Sequence, residues 1–520
     1  MQVKGISKQG EYYDSVTLMQ AVKYINELNG VIDSAIVMGT KENKSILEAS
    51  GMLLDIFKPC GDTDLLIAVK AETAERAEQA LAEVNTILKS MRKRSSAGTM
   101  SLPRSIDAAL KLLPEANLAL ISVAGRYAGE VAMKSLHSGL HVMLFSDNVP
   151  LDQEIALKQF AIDHGLLVMG PDCGTAIING VPLAFANKVN RGNIGIVAAA
   201  GTGLQEVSCL ISNNGAGISQ AIGTGGRDVK QEVGGLMFIE AIKMLLADSN
   251  TKVLLLVSKP PHPEVLEKIG KILQGNTKPV VAAFLGANPE DIKKYGIHPA
   301  GSLEEAALVS VAYSTGTGID KIKDVMKHQP EAVKKIARTE SSKLSIGQKY
   351  IRGLFSGGTF CYEAQLLLHN LIDNIYSNVP VRKSKKLTNS LRSQEHTLID
   401  LGEDEFTVGR PHPMIDYSLR NKRIIEEASD PETAVILLDI VLGFGSNPDP
   451  LKDIIPAIET AQNIAKKNNR YIIFVCSVTG TDADPQNRSK VVQGLNDVWV
   501  MESNALASLC AGYIVSNSRQ

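Results

Sequence analysis

Apolar and polar positions follow two rhythms along this 520-residue chain. Residues 1–95 mix short helical and extended patterns. Leu18 to Leu28 repeats apolar residues at helical spacing, Val31 to Met38 and Asp64 to Val69 form apolar strands, and Glu72 to Met91 is an alanine-rich helical run. Together they predict a small α+β domain. Arg92 to Pro103, basic and then rich in Ser and Gly, predicts a solvated linker. From residue 104 the rhythm becomes regular alternation: helix to Leu113, strand Leu118 to Val123, helix Gly129 to Ser138, strand His141 to Phe145, helix Asp152 to His164 and strand Leu166 to Met169. Such alternation predicts a parallel sheet covered on both faces. It continues through 189–325 with strands at Ile194 to Val197, Ile218 to Ile222, Val253 to Val257 and Val280 to Phe284, and resumes over 346–520 after a polar connector at about 326–345.

The last two blocks are copies of one plan. Asn193-Ile-Gly-Ile-Val-Ala-Ala-Ala-Gly201-Thr202-Gly203-Leu-Gln-Glu206 is an apolar strand, a glycine turn and a helix; Ile351-Arg-Gly-Leu-Phe-Ser356-Gly357-Gly358-Thr359-Phe-Cys-Tyr-Glu363 repeats it. Gly201 with Gly358, Thr202 with Thr359, and Glu206 with Glu363 are each 157 positions apart. Further on, Asp248, Thr251 and Val253 match Asp430, Thr433 and Val435 at 182 positions, and the segment Lys383 to Pro413 absorbs the difference. The expected class is therefore α/β, with tandem doubly wound parallel-sheet domains behind a small α+β domain, divided as 1–95, 104–188, 189–325 and 346–520.

Charge and composition narrow the functions. Lys and Arg number 54 against 56 Asp and Glu, so no bulk attraction to nucleic acid or an anionic membrane is expected. No apolar run reaches the roughly 18 residues that span a bilayer, and the first residues lack a signal-peptide core, so a cytoplasmic protein is expected. The cysteines 60, 173, 209, 361, 476 and 510 show no C-x-x-C spacing, and the histidines no metal-binding spacing. No metal site is expected.

The candidate chemistry starts at the glycine turns. The first N–H groups of a helix lack intrahelical acceptors and carry the positive end of the macrodipole, so glycines before them let an anion approach. Gly201, Thr202, Gly203, Gly357, Gly358 and Thr359 are the candidate phosphate-binding residues, and the two turns are expected to converge on one anion; a plain βα turn with a Thr cap is the alternative. Asp172, Cys173 and Gly174 lie in the turn Met169-Gly-Pro-Asp-Cys-Gly-Thr175, at a strand's carboxyl end, where open sheets bind ligands. Cys173 is either a nucleophile or a buried thiol lining a pocket. Arg227, in Gly223-Thr-Gly-Gly-Arg227-Asp228, either grips a carboxylate or phosphate or decorates a turn. In Gly409-Arg410-Pro411-His412-Pro413, prolines fix both flanks of His412, so Arg410 and His412 are either the catalytic pair for an anionic substrate and a moving proton or a rigid surface loop.

Through these segments the chain resembles the α subunit of succinyl-CoA synthetase from about Ala119 to Gly286, and its second repeat resembles the carboxyl-terminal domain of that enzyme's β subunit. Over nearly its whole length it is similar to the FdrA family of acyl-CoA-synthetase-like proteins, through Gly170-Pro-Asp-Cys-Gly-Thr-Ala-Ile-Ile178, Leu354-Phe-Ser-Gly-Gly-Thr359 and Gly409-Arg-Pro-His-Pro-Met-Ile-Asp416. The resemblance implies an ACT-like or ferredoxin-like first domain, a Rossmann-like CoA-binding-type domain over 104–188, and two flavodoxin-like ligase domains. The synthetase's phosphohistidine loop is replaced here by Ala287 to Ser302, which leaves His298 without that role; its amino-terminal CoA loop and its ATP-grasp domain have no counterpart. CoA and nucleotide thus lack motif support, and phosphate is expected as a substrate. The FdrA resemblance implies one subunit of a hetero-oligomeric oxamate carbamoyltransferase in ureide breakdown, acting on a small anionic substrate. Acyl-CoA or acyl-phosphate chemistry with a partner subunit, and a non-catalytic sensor or scaffold, are the other two readings.

Overall fold

A computed structural model describes every residue except 12, 14, 96–102, 104, 408–409 and 518–520. The chain forms two compact units, Met1–Ala116 with Gly402–Asp416, and Asn117–Leu401 with Tyr417–Gln520.

In the first unit, β1 (Gln2–Lys8), α1 (Ser15–Asn26), β2 (Val31–Met38), α2 (Lys41–Ala49), β3 (Leu65–Ala71), α3 (Ala74–Ser95) and α4 (Ile106–Leu112) follow one another. The three strands form an antiparallel sheet in the order β1-β3-β2. Alternation on β3 decides its place: Leu65, Ile67 and Val69 pack with residues of α1 and α3, while Leu66 and Ala68 pack with Leu47, Met52 and Phe57 on the other face. With both faces apolar, β3 takes the centre. The expected linker begins later than its basic run suggested, because α3 carries Arg92 to Ser95 as its last turn; residues 96–102 lie outside the described residues.

The second unit opens with β4 (Leu118–Ile121), α5 (Gly125–His137), β5 (His141–Leu144), α6 (Leu151–Asp163) and β6 (Val168–Met169), whose strands lie parallel in the order β4-β5-β6. A hairpin of β7 (Thr175–Ile178) and β8 (Val181–Ala184) then joins the next sheet. That sheet is built from β9 (Arg191–Ala198), α7 (Gly201–Asn213), β10 (Ile218–Gly223), α8 (Leu236–Ala247), β11 (Val253–Ser258), α9 (Pro263–Ile272), β12 (Val280–Phe284), α10 (Pro289–Lys293), β13 (His298–Pro299) and α11 (Leu303–Thr315). Its parallel strands run β13-β12-β11-β9-β10.

The expected polar connector is instead a helix, α12 (Ile319–Ser341), with Pro330 inside it. Its charged residues hid a narrow buried stripe at Val333 and Ala337. The second repeat then runs through β14 (Tyr350–Phe355), α13 (Gly358–Leu368), β15 (Ile375–Ser377), β16 (Lys385–Lys386) and β17 (His396–Asp400). The short α14 (Asp404–Thr407) belongs to the first unit. Next come α15 (Ser418–Ser429), β18 (Thr433–Val441), α16 (Pro450–Lys467), β19 (Ile473–Thr479), α17 (Arg488–Gly494), β20 (Val498–Met501) and α18 (Asn504–Asn517). Its sheet order is β16-β15-β17-β14-β18-β19-β20.

Matching β9 to β14 and β11 to β18 aligns the five-strand cores β10-β9-β11-β12-β13 and β17-β14-β18-β19-β20. Both are the 2-1-3-4-5 order of flavodoxin-like sheets, which place ligands where the winding reverses, between strands 1 and 3. The stretch Lys383 to Pro413 is therefore more than an insertion, since it carries β17, a core strand hydrogen-bonded beside β14.

Candidate functional site

Each repeat sends its first strand into a glycine turn at that reversal point. Apolar β9 ends at Ala198 and α7 starts at Gly201; β14 ends at Phe355 and α13 starts at Gly358. Neither start has a side-chain cap, the residues before them being Ala200 and Gly357. The two turns meet. A Cβ on Gly357 would stand 2.9 Å from Thr202 Cγ2, and one on Gly203 would stand 3.0 Å from Thr359 Cγ2 and 3.2 Å from Val257 Cγ1. Gly203 and Gly357 thus let two helix starts touch where any side chain would hold them apart. Two helix starts without side-chain caps, each at the positive end of a macrodipole, adjoin there.

Around the first turn the supports are neutral. Ala199 N–H donates to Val257 O at 2.9 Å, Thr224 N–H to Ala198 O at 2.8 Å, and a Cβ on Gly201 would stand 3.9 Å from Thr175 Oγ1. The turn through Asp172, Cys173 and Gly174 therefore borders α7. Burial pushes the Cys173 thiol up to about 12, and it donates weakly to Gly223 O at 3.4 Å and Thr175 O at 3.5 Å. A thiol that stays protonated is a poor nucleophile, and Cys173 is a buried thiol in this fold.

The loop after β10 is clamped by buried charges. Lys158 Nζ contacts Glu154 Oε1 at 2.8 Å and Asp228 Oδ1 at 2.9 Å and donates to Thr224 O at 3.1 Å, while Asp228 accepts the Met237 and Phe238 N–H groups at the start of α8. Arg227 joins this clamp, with Nη2 2.8 Å from Glu154 Oε2 and 2.8 Å from Val149 O. Its guanidinium is engaged by the protein itself, not held out towards the turns.

The second turn has acidic supports. Asp439, fully buried on β18, accepts Ser356 N–H at 2.7 Å, Ser356 Oγ–H at 2.6 Å and Gly357 N–H at 3.0 Å. Arg420 Nη1 lies 3.4 Å from its carboxylate and donates to its carbonyl at 2.6 Å, and the guanidinium stacks 4.1 Å from the Tyr417 ring centroid. Burial raises the Asp439 pKa, with Arg420 opposing. Asp400 Oδ2 would lie 2.5 Å from a Cβ on Gly358. On the outer side Lys259, exposed just past β11, holds its ammonium 5.2 Å from the Tyr362 ring of α13. Asp439, Asp400 and Lys259 escaped the sequence reading, although a lone Asp inside the apolar run Ala434 to Val441 was a signal.

Arg410 and His412 fall in the segment Gly402–Asp416 of the first unit, and the paired turns belong to the second. Arg410 Nη2 lies 3.6 Å from Asp33 Oδ2. His412 Nδ1 accepts Met414 N–H at 3.2 Å, and burial pushes its pKa down to about 4. It is a neutral imidazole near pH 7, a poor store for a donated proton. His298 sits beside Tyr313 with ring centroids 6.2 Å apart. Among the described residues, no group of three or more His, Cys, Asp or Glu side chains is placed to hold a metal, and no helix is long and apolar enough to cross a membrane.

Known proteins resemble parts of this chain. A family model described as CoA-ligase matches residues 354–514, one described as a CoA binding domain matches 189–286, and one described as the heavy metal-associated domain of AllF matches 1–103. The α subunit 1 of succinate–CoA ligase (ADP-forming) from Archaeoglobus fulgidus is 28% identical over 40% of this chain and 68% of its own length. ATP citrate lyase from Methanothrix soehngenii, solved with citrate and coenzyme A, is 18% identical over 42% of each chain with a TM-score of 0.36. The family matches and the succinate–CoA ligase relative mark a protein of the succinyl-CoA synthetase-like class. Uncharacterized protein YahF of Escherichia coli K12 is 42% identical over 96% of both chains, and the chain belongs to that family.

Proposed function

We propose that this chain is one subunit of a phosphate-dependent group-transfer enzyme, in which inorganic phosphate lies between the two glycine turns and takes a carbamoyl group from an oxalurate-type ureide. A phosphate oxygen attacks the carbamoyl carbon, the bond from that carbon to the oxamate nitrogen breaks, and the nitrogen takes a proton; carbamoyl phosphate and oxamate leave. The contact of Thr202 with Gly357 and of Thr359 with Gly203 carries this reading, because it brings two uncapped helix starts onto one point. Held there, phosphate is a positioned nucleophile, and Lys259 offers a cation on the α13 side. The match of residues 1–103 to a domain described for AllF, and the resemblance of the whole chain to the FdrA family, favour ureide chemistry over other acyl groups. Partner subunits supply what these two repeats lack.

The decisive assay is phosphorolysis. The purified chain with its partner subunits, given oxalurate and labelled phosphate, should form labelled carbamoyl phosphate; no product, with no phosphate bound by the chain, would overturn the reading. A second reading, acid–thiol ligation with a nucleotide-binding partner, draws on the matches to CoA-ligase and CoA-binding families. Formation of an acyl-CoA from ATP, CoA and a carboxylic acid by the same mixture would favour it instead.

A further inference from the structure

Five residues past each glycine turn stands a buried glutamate, Glu206 on α7 and Glu363 on α13. Each one caps the last helix of the opposite repeat. Glu206 Oε1 accepts the Asn504 N–H that opens α18, at 3.0 Å, while Glu363 Oε1 accepts the Leu303 N–H that opens α11, at 2.8 Å. Asn504 ties the two together, because its Nδ2 donates to Glu363 Oε2 at 2.8 Å. Glu206 Oε2 also takes the Thr479 hydroxyl. A third buried acid, Glu304 on α11, accepts Ser503 Oγ–H at 2.8 Å and Gln329 Nε2–H at 2.9 Å.

The surroundings hold little positive charge. From α7 come Glu206 and Cys209, from α13 Glu363, from α11 Glu304, from α12 the neutral Gln329, and from the turn before α18 Ser503 and Glu502. Arg488 of α17 is the cation that acts on Glu206, but its Nη2 pairs with Glu502 at 3.1 Å and its Nε donates to Val478 O at 3.0 Å. Asp484 adds negative charge on the Cys209 side. Three carboxylates sharing a desolvated site without a paired cation cannot all ionise at low cost. Asn504 Nδ2 also donates to Phe360 O at 3.2 Å, which fixes the amide with its donor towards Glu363, and a retained proton finds its acceptor in the Thr479 or Ser503 hydroxyl oxygen that already bonds Glu206 or Glu304.

We propose that Glu206, Glu304, Glu363 and Asn504 form a proton-held latch between the repeats, closed while the cluster keeps a proton and loosened when the last proton leaves for solvent. The acids stand on the same two helices whose starts form the paired turns, and on α11, so full ionisation sets uncompensated negative charges of the two repeats against one another. The latch does not depend on which anion the turns bind. Burial raises Glu206 and Glu363 each to about 7 from an ordinary 4.5, and raises Glu304 as well. The sign follows. The folded state holds protons that the unfolded chain releases, so the stabilisation is complete below pH 4.5 and is lost as pH rises through about 7.

The test is the thermal unfolding midpoint of the full chain from pH 5 to 8.5. The wild type should lose about 3 °C or more across this range. Glu206→Gln is the informative variant, since an amide keeps the acceptor for Asn504 N–H and can donate to Thr479 Oγ1. It should flatten the profile and be more stable than wild type at pH 8.5, a gain that a merely structural carboxylate would not give. Infrared spectra of the wild type should also show a buried carboxylic-acid C=O stretch at pH 6 that vanishes by pH 8.5, which needs no variant to fold. The same pH profile in wild type and Glu206→Gln, or no such band, would overturn the latch. Failure of phosphate binding at every pH would overturn the proposed function and leave the latch standing.

Discussion

The two glycine turns obey one sequence grammar and have opposite electrostatics. Ala199 is held to its sheet by a backbone bond to Val257 O, whereas Ser356 and Gly357 are held by the buried carboxylate of Asp439. Val257 and Asp439 are themselves 182 positions apart, the separation that aligns β11 with β18. One residue has exchanged a neutral support for a charged one, and Arg420 was recruited to neutralise it. Duplication copies backbone geometry more faithfully than it copies charge. The consequence is a division of labour: the α7 turn keeps its leading N–H groups clear of carboxylates, while the α13 turn has spent two of its donors on Asp439 and has Asp400 against Gly358. Phosphate should lean towards α7.

Removing the charged support tests this division with the largest effect. Asp439→Ala deletes the acceptor for two N–H groups and one hydroxyl and leaves Arg420 buried without its carboxylate, a situation that costs about 3 to 5 kcal/mol. Urea unfolding of Asp439→Ala should show a loss of that order. A loss below about 1 kcal/mol would mean that the second turn holds its shape without the carboxylate, and the contrast between the turns would collapse.

Forcing the turns apart comes next. Gly203→Val sets methyl groups against Thr359 and Val257, where a Cβ alone is already at 3.0 and 3.2 Å. Overpacking of this kind costs about 1 to 3 kcal/mol, and the displaced helix starts should weaken phosphate binding by calorimetry at least about tenfold, or about 1.4 kcal/mol. Unchanged phosphate affinity would place the anion elsewhere. Lys259→Met is gentler: losing one exposed cation should weaken phosphate roughly two- to fivefold, with the effect fading in high salt. A loss that salt does not touch would argue against an electrostatic role.

The fold was legible in the sequence where apolar runs alternate with helices, and the repeat was legible because Gly, Thr and Glu recur at one spacing. Val31 to Met38 and Val280 to Phe284 have the bounds their apolar patterns indicate. Legibility ended where identity depends on tertiary partners. The helix α12 hid behind charges and Pro330, since only Val333, Ala337 and Glu340 of it are buried. The strand β17 hid inside an apparent insertion because His396 and Thr397 are polar yet fully buried, and nothing local announces that His396 Nδ1 will accept Ile351 N–H at 3.2 Å. The turns at Gly201, Gly203, Gly357 and Thr359 were findable because a strand that runs through glycines into a helix is a local motif. Asp439 was not, being brought to the second turn by the pairing of β14 with β18, and neither was the approach of Lys259 to Tyr362. Arg410, conspicuous between Gly409 and Pro411, belongs to the other compact unit.

Arg227 gives the smallest effect and the sharpest discrimination. By type and by its glycine-rich loop it could grip the anion, and it is the cation that sequence alone would choose. In the folded chain its Nη2 is spent on Glu154 and Val149 O, and the side chain is 37% exposed. Arg227→Ala should therefore cost under about 1 kcal/mol, as partly solvated ion pairs do, because Lys158 still neutralises Glu154. Phosphate affinity should not change. If Arg227→Ala weakens phosphate tenfold or more while the unfolding midpoint stays put, the loop after β10 must swing its guanidinium into the site on binding. The neutral first turn would then acquire a charge to match the second, and the asymmetry between the repeats would belong to the unliganded protein alone.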